Sequence, residues 1–225
     1  MFGILKRYHI NDSYRRSLLG TFVITVAQQK GGVGKTTLAT QLASAFHCLS
    51  YHVAIIDVDP QQSMTRWHEL RQKLDIHNPI LLKGSAWQAD SLIKKATQDH
   101  DIVLVDCPPR ADAKVSVAFR ASDIILLPCQ PAAADVWALD DTLNFIQSHM
   151  DKVKIVMNRV PPRSKKSKLI IDALTKRHLP LCHHYLGNRT AFGDSMSEGL
   201  GVAEGRSCPA QDEIYQLAKE LLRVA

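Results

Sequence analysis

Short apolar runs alternate along this chain with segments of helical periodicity, and this alternation restricts the fold more than any other feature. The runs are rich in valine, isoleucine and leucine, as expected of strands buried on both faces. They span residues 22–27, 53–57, 102–106, 124–128 and 153–157. Between the first two runs, Leu38, Leu42 and Phe46 recur at helical spacing. Strands separated by helices form right-handed crossovers, so the pattern predicts an α/β fold, a three-layer sandwich with a mostly parallel twisted sheet.

The length and composition of the chain indicate one domain. With 225 residues, 45% of them hydrophobic, the chain can form one well-buried core. We assign this domain to residues 21–225 and regard residues 1–20 as an N-terminal extension, because they precede the first strand. No apolar run approaches the roughly 18 residues needed to span a bilayer, and the five cysteines show no paired metal-binding spacing. We therefore expect a cytoplasmic protein without stable membrane insertion.

Positive charge is concentrated in one part of the chain. Residues 151–189 contain ten lysines and arginines but only two aspartates, whereas the whole chain has a formal net charge of only +6. A basic segment within an otherwise neutral domain favours a polyanionic partner. The alternative is a solvated loop and helix start with no partner.

The segment QQKGGVGKTT, residues 28–37, nearly matches the phosphate-loop pattern G-x-x-x-x-G-K-[ST]. Its three glycines allow consecutive N–H groups to converge on a phosphate at a helix N-terminus. Lys35 would reach the β- and γ-phosphates, and Thr36 would offer its hydroxyl to Mg²⁺. The alternative is a glycine-rich turn without a ligand, but the strand before it and the helix after it favour a phosphate loop.

Three carboxylates follow predicted strands. Asp57 and Asp59 come at the end of the second strand, and Asp106 ends the third. A carboxylate at a strand end near a phosphate-bound Mg²⁺ can hold a metal-bound water, and a second carboxylate two residues later in an extended chain points the same way. Alternatively, Asp57 caps a helix and Asp59-Pro60 forms a turn.

Two departures from the phosphate-loop pattern are informative: Gln29 replaces the first glycine, and Lys30 is an additional lysine. With them, KGGVGKTT resembles the deviant Walker A motif of the ParA/MinD superfamily of P-loop ATPases. The later segments DVDPQQ and IVLVDCPP resemble motifs of the same superfamily, and the resemblance covers about residues 21–224. The segment Ser63–Trp67 is similar to the short ParA-type plasmid-partition members.

The resemblance implies ATP and Mg²⁺ as cofactors and gives roles to individual residues. Catalysis would depend on Lys30, reaching across a dimer interface, on Lys35 and on Asp59, which would orient the attacking water. The metal ion would be held by Thr36, Asp57 and Asp106. The nucleotide would contact Gly31, Gly32, Val33, Gly34, Lys35, Thr36, Thr37, Asn158 and Pro209. Of these, Asn158 would recognise adenine, and Pro209 would belong to the base pocket.

The resemblance also implies a switch rather than a metabolic enzyme. An ATP-dependent homodimer would bind DNA non-specifically and would partition or position a plasmid, a chromosome or another cargo. A ParB-like or other cargo adaptor would stimulate hydrolysis, and the protein would be nucleoid-associated. The basic segment supplies the candidate DNA contacts, which are Arg163, Lys165, Lys166, Lys168 and Arg189.

Two other functions remain open from the sequence. A MinD-like positioning ATPase would hold a membrane with a basic amphipathic C-terminal helix. Here the last helix, predicted from Ala210 to Val224, carries acidic as well as basic residues and is better explained by core packing. A metabolic ATP-dependent P-loop ligase would need a substrate pocket with dedicated polar groups, and the sequence shows no candidate cluster for one.

Overall fold

The computed structural model describes residues 20–109 and 115–223. The N-terminal extension assigned to residues 1–20 therefore lies outside the described residues except for Gly20. The predicted end of the last helix at Val224 also lies outside them.

A single six-stranded sheet forms the centre of the described chain. Its strands are β1 (Phe22–Val26), β2 (Val53–Asp57), β3 (Ile80–Lys83), β4 (Ile102–Asp106), β5 (Ile124–Cys129) and β6 (Val153–Met157). Their order is β3-β2-β4-β1-β5-β6, and every pairing is parallel. The predicted α/β sandwich with a parallel sheet is confirmed.

Helices connect the strands and cover both faces of the sheet. Those described are α1 (Lys35–Cys48), α2 (Ser63–Lys73), α3 (Ala89–Ala96), α4 (Ser116–Ala121), α5 (Ala133–Phe145), α6 (Lys165–Lys176), α7 (Thr190–Ser197) and α8 (Pro209–Leu222). Short 3₁₀ helices span Ala86–Gln88, Gln147–Lys152 and Val202–Glu204. Among the helices that the structure describes, none is both long and apolar enough to cross a bilayer.

Successive strand residues point to opposite faces of the sheet, which produces two apolar clusters. On one face, Ile24 of β1 packs with side chains of α1, α2, α7 and α8. On the other face, Val23 packs with side chains of α3, α4, α5 and α6. The apolar stripe of α8, with Ile214, Leu217 and Leu221, is fully buried in the first cluster. This burial confirms that the last helix is part of the core.

The carboxyl ends of the strands bring the candidate functional residues to one edge of the sheet. β2 and β4 end in register, so that Asp57 lies opposite Asp106. β1 pairs with β4 on one side and β5 on the other, and it leads directly into the phosphate loop. The loops after β5 and β6 begin at the same edge of the sheet, because these strands run parallel to β1. Open parallel sheets bind ligands at this edge.

Candidate nucleotide-binding site

The phosphate loop connects β1 to α1 with two residues in the left-handed conformation. Gly32 has a φ of 75° and Gly34, which precedes the first helical residue, has a φ of 93°. A Cβ atom at Gly34 would lie 2.6 Å from Nδ2 of Asn158, so that a side chain there would collide with the loop after β6. Glycine is therefore required at this position both by the backbone angle and by the close approach of Asn158.

Lys35 is almost completely buried at the start of α1. Its Nζ donates a hydrogen bond to the backbone oxygen of Lys30 at 3.3 Å, which holds the ammonium group inside the loop. Burial lowers the pKa of Lys35, and the nearby carboxylates of Asp106 and Asp59 act in the opposite direction. An ammonium group in this position is poised to receive the negative charge of phosphates.

Lys30 points to a different group. Its Nζ lies 2.8 Å from Oδ2 of Asp135, on the first turn of α5, and its side chain remains 36% exposed. The carboxylate of Asp135 is buried, and its Oδ1 accepts no hydrogen bond from the described residues. The two lysines of the loop thus have separate partners: Lys35 contacts the loop itself, and Lys30 contacts a neighbouring helix.

Asp106 and Thr36 form a buried pair beneath the loop. The Thr36 hydroxyl donates to Oδ2 of Asp106 at 2.6 Å, while Oδ1 of the same carboxylate is buried and has no partner among the described residues. Burial raises the pKa of Asp106 to about 7; the hydrogen bond from Thr36 lowers it, and the neighbouring Asp57 carboxylate raises it further. A free carboxylate oxygen beside a threonine hydroxyl fits a magnesium ion that keeps its waters. Thr36 and Asp106, two of the three residues predicted to hold the metal, are therefore compatible with it.

Asp57 has a structural role that the sequence left open. Its Oδ2 accepts hydrogen bonds from the backbone nitrogen and the hydroxyl of Thr65, at 2.8 and 2.7 Å, in the first turns of α2. Its Oδ1 accepts from the backbone nitrogen of Asp59 at 3.1 Å. Asp59 is itself half-buried and accepts from the backbone nitrogen of Gln61 at 3.0 Å. The capping and turn alternatives are thus both realised, at positions that also lie beside Asp106.

Asn158 contacts the phosphate loop directly. Its Nδ2 donates to the backbone oxygen of Val33 at 2.8 Å, and its Oδ1 accepts from the backbone nitrogen of Arg159 at 3.0 Å. Arg159 in turn donates from Nη1 to the backbone oxygen of Gly32 at 3.1 Å. In this structure the Asn158 amide therefore supports the loop, and its predicted contact with adenine would require it to exchange these hydrogen bonds.

A cavity of about 270 Å³ opens beside the loop and beside Asn158. Its lining residues are Thr37, Asn158, Arg159, Gly187, Asn188, Arg189, Thr190, Phe192 and Gly193. Pro209, predicted for the base pocket, is not among them; it is the first residue of α8 and is exposed. The sequence placed Arg189 among the candidate DNA contacts and did not place the segment 187–193 beside the nucleotide site, although the glycine and asparagine at 187–188 are a turn signal.

The five candidate DNA contacts separate into two groups. Arg163, Lys165, Lys166 and Lys168 are all exposed, in the loop after β6 and the first turn of α6. Arg189 instead forms an ion pair with Glu213, with Nη2 2.7 Å from Oε1, and it lines the cavity. We refer to the first four residues as the basic surface.

Comparison with known proteins agrees with this geometry. The family model described as CobQ/CobB/MinD/ParA nucleotide binding domain matches residues 24–202. The chain is similar to maintenance of carboxysome distribution protein A of Halothiobacillus neapolitanus, with 31% identity over 212 residues, 89% of this chain and 96% of that protein. It also has the fold of a Cyanothece McdA–ATP complex (TM-score 0.73, 20% identity, 92% of this chain and 98% of that one). The cell-division protein MinD of Aquifex aeolicus is similar as well (TM-score 0.73, 22% identity, 90% and 98%). The chain therefore belongs to the CobQ/CobB/MinD/ParA family of nucleotide-binding domains, and it is a P-loop ATPase of the ParA/MinD superfamily.

Proposed function

We propose that this ATPase is a switch that dimerises around ATP, binds duplex DNA without sequence preference as a dimer, and positions a cargo chosen by an adaptor protein. The observation that carries the proposal is the separation of the two loop lysines. Lys35 is buried in its own loop, whereas Lys30 contacts Asp135 and keeps a partly exposed side chain. A lysine free to leave its own loop is available to the nucleotide of a second subunit.

Hydrolysis would depend on residues that the fold has already gathered. Lys35 would bind the phosphates, Thr36 and Asp106 would hold the metal ion with support from Asp57, and Asp59 would orient the attacking water. Bound Mg²⁺ would neutralise charge that develops on the phosphates. Lys30 of the second subunit would complete the site, as an arginine finger does in other phosphoryl-transfer enzymes. Turnover should then be slow until a partner protein stabilises the complete arrangement.

The basic surface supplies the DNA contact. Its four side chains are exposed, and none forms an ion pair with another described residue. Cations of this kind bind phosphates without reading bases, so that affinity should fall steeply with salt. A dimer presents two such surfaces at once, which makes DNA affinity depend on ATP. Binding of this type would place the protein on the nucleoid.

The cargo is assigned by similarity alone. The relative from Halothiobacillus neapolitanus, matched over nearly its whole length, is named for maintaining the distribution of carboxysomes. It supports a large protein assembly as the cargo, with a plasmid or chromosome carried through a ParB-like adaptor as the other possibility. Either cargo requires an adaptor that recognises the ATP-bound dimer and stimulates hydrolysis.

The alternatives receive less support from the structure. A membrane-bound positioning ATPase with a C-terminal amphipathic anchor would need the apolar face of α8, but Ile214, Leu217 and Leu221 are packed in the core. A metabolic ligase need not change its oligomeric state when ATP binds. The nucleotide dependence of dimerisation therefore distinguishes a switch from a ligase.

Fluorescence anisotropy with labelled duplex DNA tests the proposal. Binding should be strong with a non-hydrolysable ATP analogue and about tenfold or more weaker with ADP, and it should weaken as salt rises. A variant with Lys165, Lys166 and Lys168 changed to alanine should lose most of this affinity. Its matched control carries Lys73→Ala, Lys95→Ala and Lys219→Ala, three exposed lysines on other helices, and should bind nearly as the wild type does. Equal affinity with ADP and with the analogue would refute the proposed coupling.

A further inference from the structure

The ion pair between Lys30 and Asp135 joins the phosphate loop to α5 within one subunit. Nζ of Lys30 lies 2.8 Å from Oδ2 of Asp135, and only 7% of the Asp135 side chain is exposed. Oδ1 of the same carboxylate accepts no hydrogen bond from the described residues. Within the described part of the chain, Lys30 therefore supplies the only ion pair of this carboxylate. A carboxylate removed from water is strongly destabilised unless a counterion stays beside it.

The two members of this pair differ in their freedom to move. Asp135 is fixed in the first turn of α5, where its backbone nitrogen donates to the backbone oxygen of Ala132 at 3.0 Å. It shares the buried face of the helix with Leu139 and Thr142. Lys30 instead carries its ammonium group on a flexible four-carbon stem, and 36% of its side chain is exposed. If the pair separates, Lys30 is therefore the member that moves.

The loop backbone around Lys30 is held by contacts that do not involve the Lys30 side chain. On one side, the backbone nitrogen of Gln29 donates to the Thr142 hydroxyl at 3.3 Å. On the other side, Nζ of Lys35 donates to the backbone oxygen of Lys30 at 3.3 Å. The Lys30 side chain can therefore leave while the loop keeps its shape, and the Asp135 carboxylate is the contact that opposes its departure.

We propose that Asp135 is a positioning residue that retains Lys30 on its own subunit and thereby opposes closure of the dimer until ATP is bound. This inference rests on the proposed function, in which Lys30 serves the nucleotide of a second copy of this chain. In a two-fold dimer both Lys30–Asp135 pairs must separate, so their loss counts twice against the dimer. A triphosphate carries more negative charge than a diphosphate and is the stronger competitor for the lysine. The pair thus makes dimerisation selective for ATP over ADP.

Chemical labelling of the nucleotide-free full chain tests whether Asp135 holds Lys30 in solution. An amine-reactive acylating reagent is added, and the labelling rate of each lysine is followed by peptide mass spectrometry. Asp135→Asn keeps the shape of the side chain but removes its charge, so Lys30 should be labelled about fivefold faster or more. Lys73, exposed at the end of α2, is the internal reference and should not change. Asp140→Asn is the matched control, because Asp140 lies on the same helix but pairs with Arg177, and it should leave the labelling of Lys30 as in the wild type.

The dimer dissociation constant tests the consequence, with Mg²⁺ and a non-hydrolysable ATP analogue in sedimentation velocity over a concentration series. The constant of Asp135→Asn should be lower by about tenfold or more, because no ion pair has to be broken in either subunit. Its ATP turnover without a partner protein should rise, whereas damage to the start of α5 would weaken the dimer and lower turnover. Asp140→Asn should change the constant less than about twofold. Binding of a fluorescent ATP analogue should be unchanged, because Asp135 is not among the residues that line the cavity. Asp135→Ser, which removes the carboxylate with a smaller side chain, replaces the asparagine variant if that variant does not fold.

Three results would overturn the inference, and they differ in what they say about the proposed function. If Asp135→Asn leaves the labelling of Lys30 unchanged, Asp135 does not hold the lysine, whatever the dimer does. If labelling rises and the wild type dimerises, but the variant dimerises no more tightly, the inference fails and the proposed switch stands. If labelling rises but the wild type and the variant both stay monomeric with the analogue, the dimerising switch itself is wrong, and the inference fails with it.

Discussion

Lys30 and Lys35 are five positions apart in one loop, and their ammonium groups have different surroundings. Lys35 has lost most of its contact with water, which lowers its pKa, and its hydrogen bond is to the loop backbone. Lys30 is partly exposed and is neutralised by Asp135. Because the Asp135 carboxylate is buried, withdrawal of Lys30 would leave it without its counterion, so the contacts that Lys30 makes in the dimer must compensate for the loss of this ion pair.

Substitution of each lysine should therefore produce a different defect. Lys35→Ala removes the charge that receives the phosphates and should abolish nucleotide binding, measured with a fluorescent ATP analogue. Lys30→Ala should leave binding by the monomer intact but should reduce turnover on the order of 100-fold, because the partner loses the cation that completes its site. Lys30→Ala with wild-type turnover would rule out a role for this lysine across the interface.

The sequence predicted Lys35 because a phosphate loop has a local pattern, with strand, glycines and helix in order, whereas the role of Lys30 was implied by the resemblance to the deviant Walker A motif. It did not predict Asp135, which is 105 positions from Lys30 and carries no motif of its own. The contribution of segment 187–193 to the cavity was not predicted for a similar reason, since a cavity formed by loops from distant parts of the chain has no periodic signal. The placement of Pro209 in the base pocket remains a prediction without support from the cavity lining.

Helix α2 begins just after the segment with Asp57 and Asp59, and its far end is fixed by a buried arginine. Arg71 is fully buried and contacts both carboxylate oxygens of Glu204, at 2.8 and 2.7 Å. The guanidinium also donates from Nη1 to the backbone oxygen of Gly199 at 2.9 Å and lies 4.7 Å from the ring centroid of Trp67. This cluster ties α2 to the 3₁₀ helix Val202–Glu204 and thereby fixes the segment that carries Asp59.

Removing one member of this buried pair should be costly. Glu204→Gln leaves the Arg71 charge without its counterion and should lower the free energy of unfolding by about 3–5 kcal/mol, measured by urea denaturation. Glu198→Gln is the control, because Glu198 is exposed at the end of α7 and has no ion pair among the described residues. A loss of less than about 1 kcal/mol in Glu204→Gln would show that the pair does not hold α2 in place.

At the level of elements, the sequence predicted five of the six described strands and missed β3. β1, β2, β4 and β5 are buried throughout and read as continuous apolar runs. β3 lies at the edge of the sheet, spans only four residues and leaves Ile80 47% exposed. A short half-buried run carries little periodicity, so that neither its length nor its pattern identified it.

For the whole molecule, the proposed cycle depends on hydrolysis that ends the dimer state. The variant Asp59→Ala should bind ATP and dimerise. Its rate of ATP hydrolysis should fall by about 100-fold or more, because the attacking water loses its orienting carboxylate. This variant should remain on DNA long after the wild type has dissociated, which anisotropy can follow over time in the presence of ATP. Asp75→Ala, an exposed carboxylate after α2, is the control and should leave DNA as the wild type does. Rapid hydrolysis by Asp59→Ala would remove Asp59 from the catalytic residues.

The position of β1 at the centre of the sheet has a consequence for how the chain is made. β1 is the first described strand to leave the ribosome, yet its partners β4 and β5 follow it by about 80 and 100 residues, as the pairs Phe22–Ile102 and Ile24–Ile124 show. Until both are synthesised, an apolar strand and the phosphate loop attached to it have no sheet to join. Contacts of such long sequence separation form slowly, and the phosphate loop gains its contact with Asn158 only after β6 has also been synthesised.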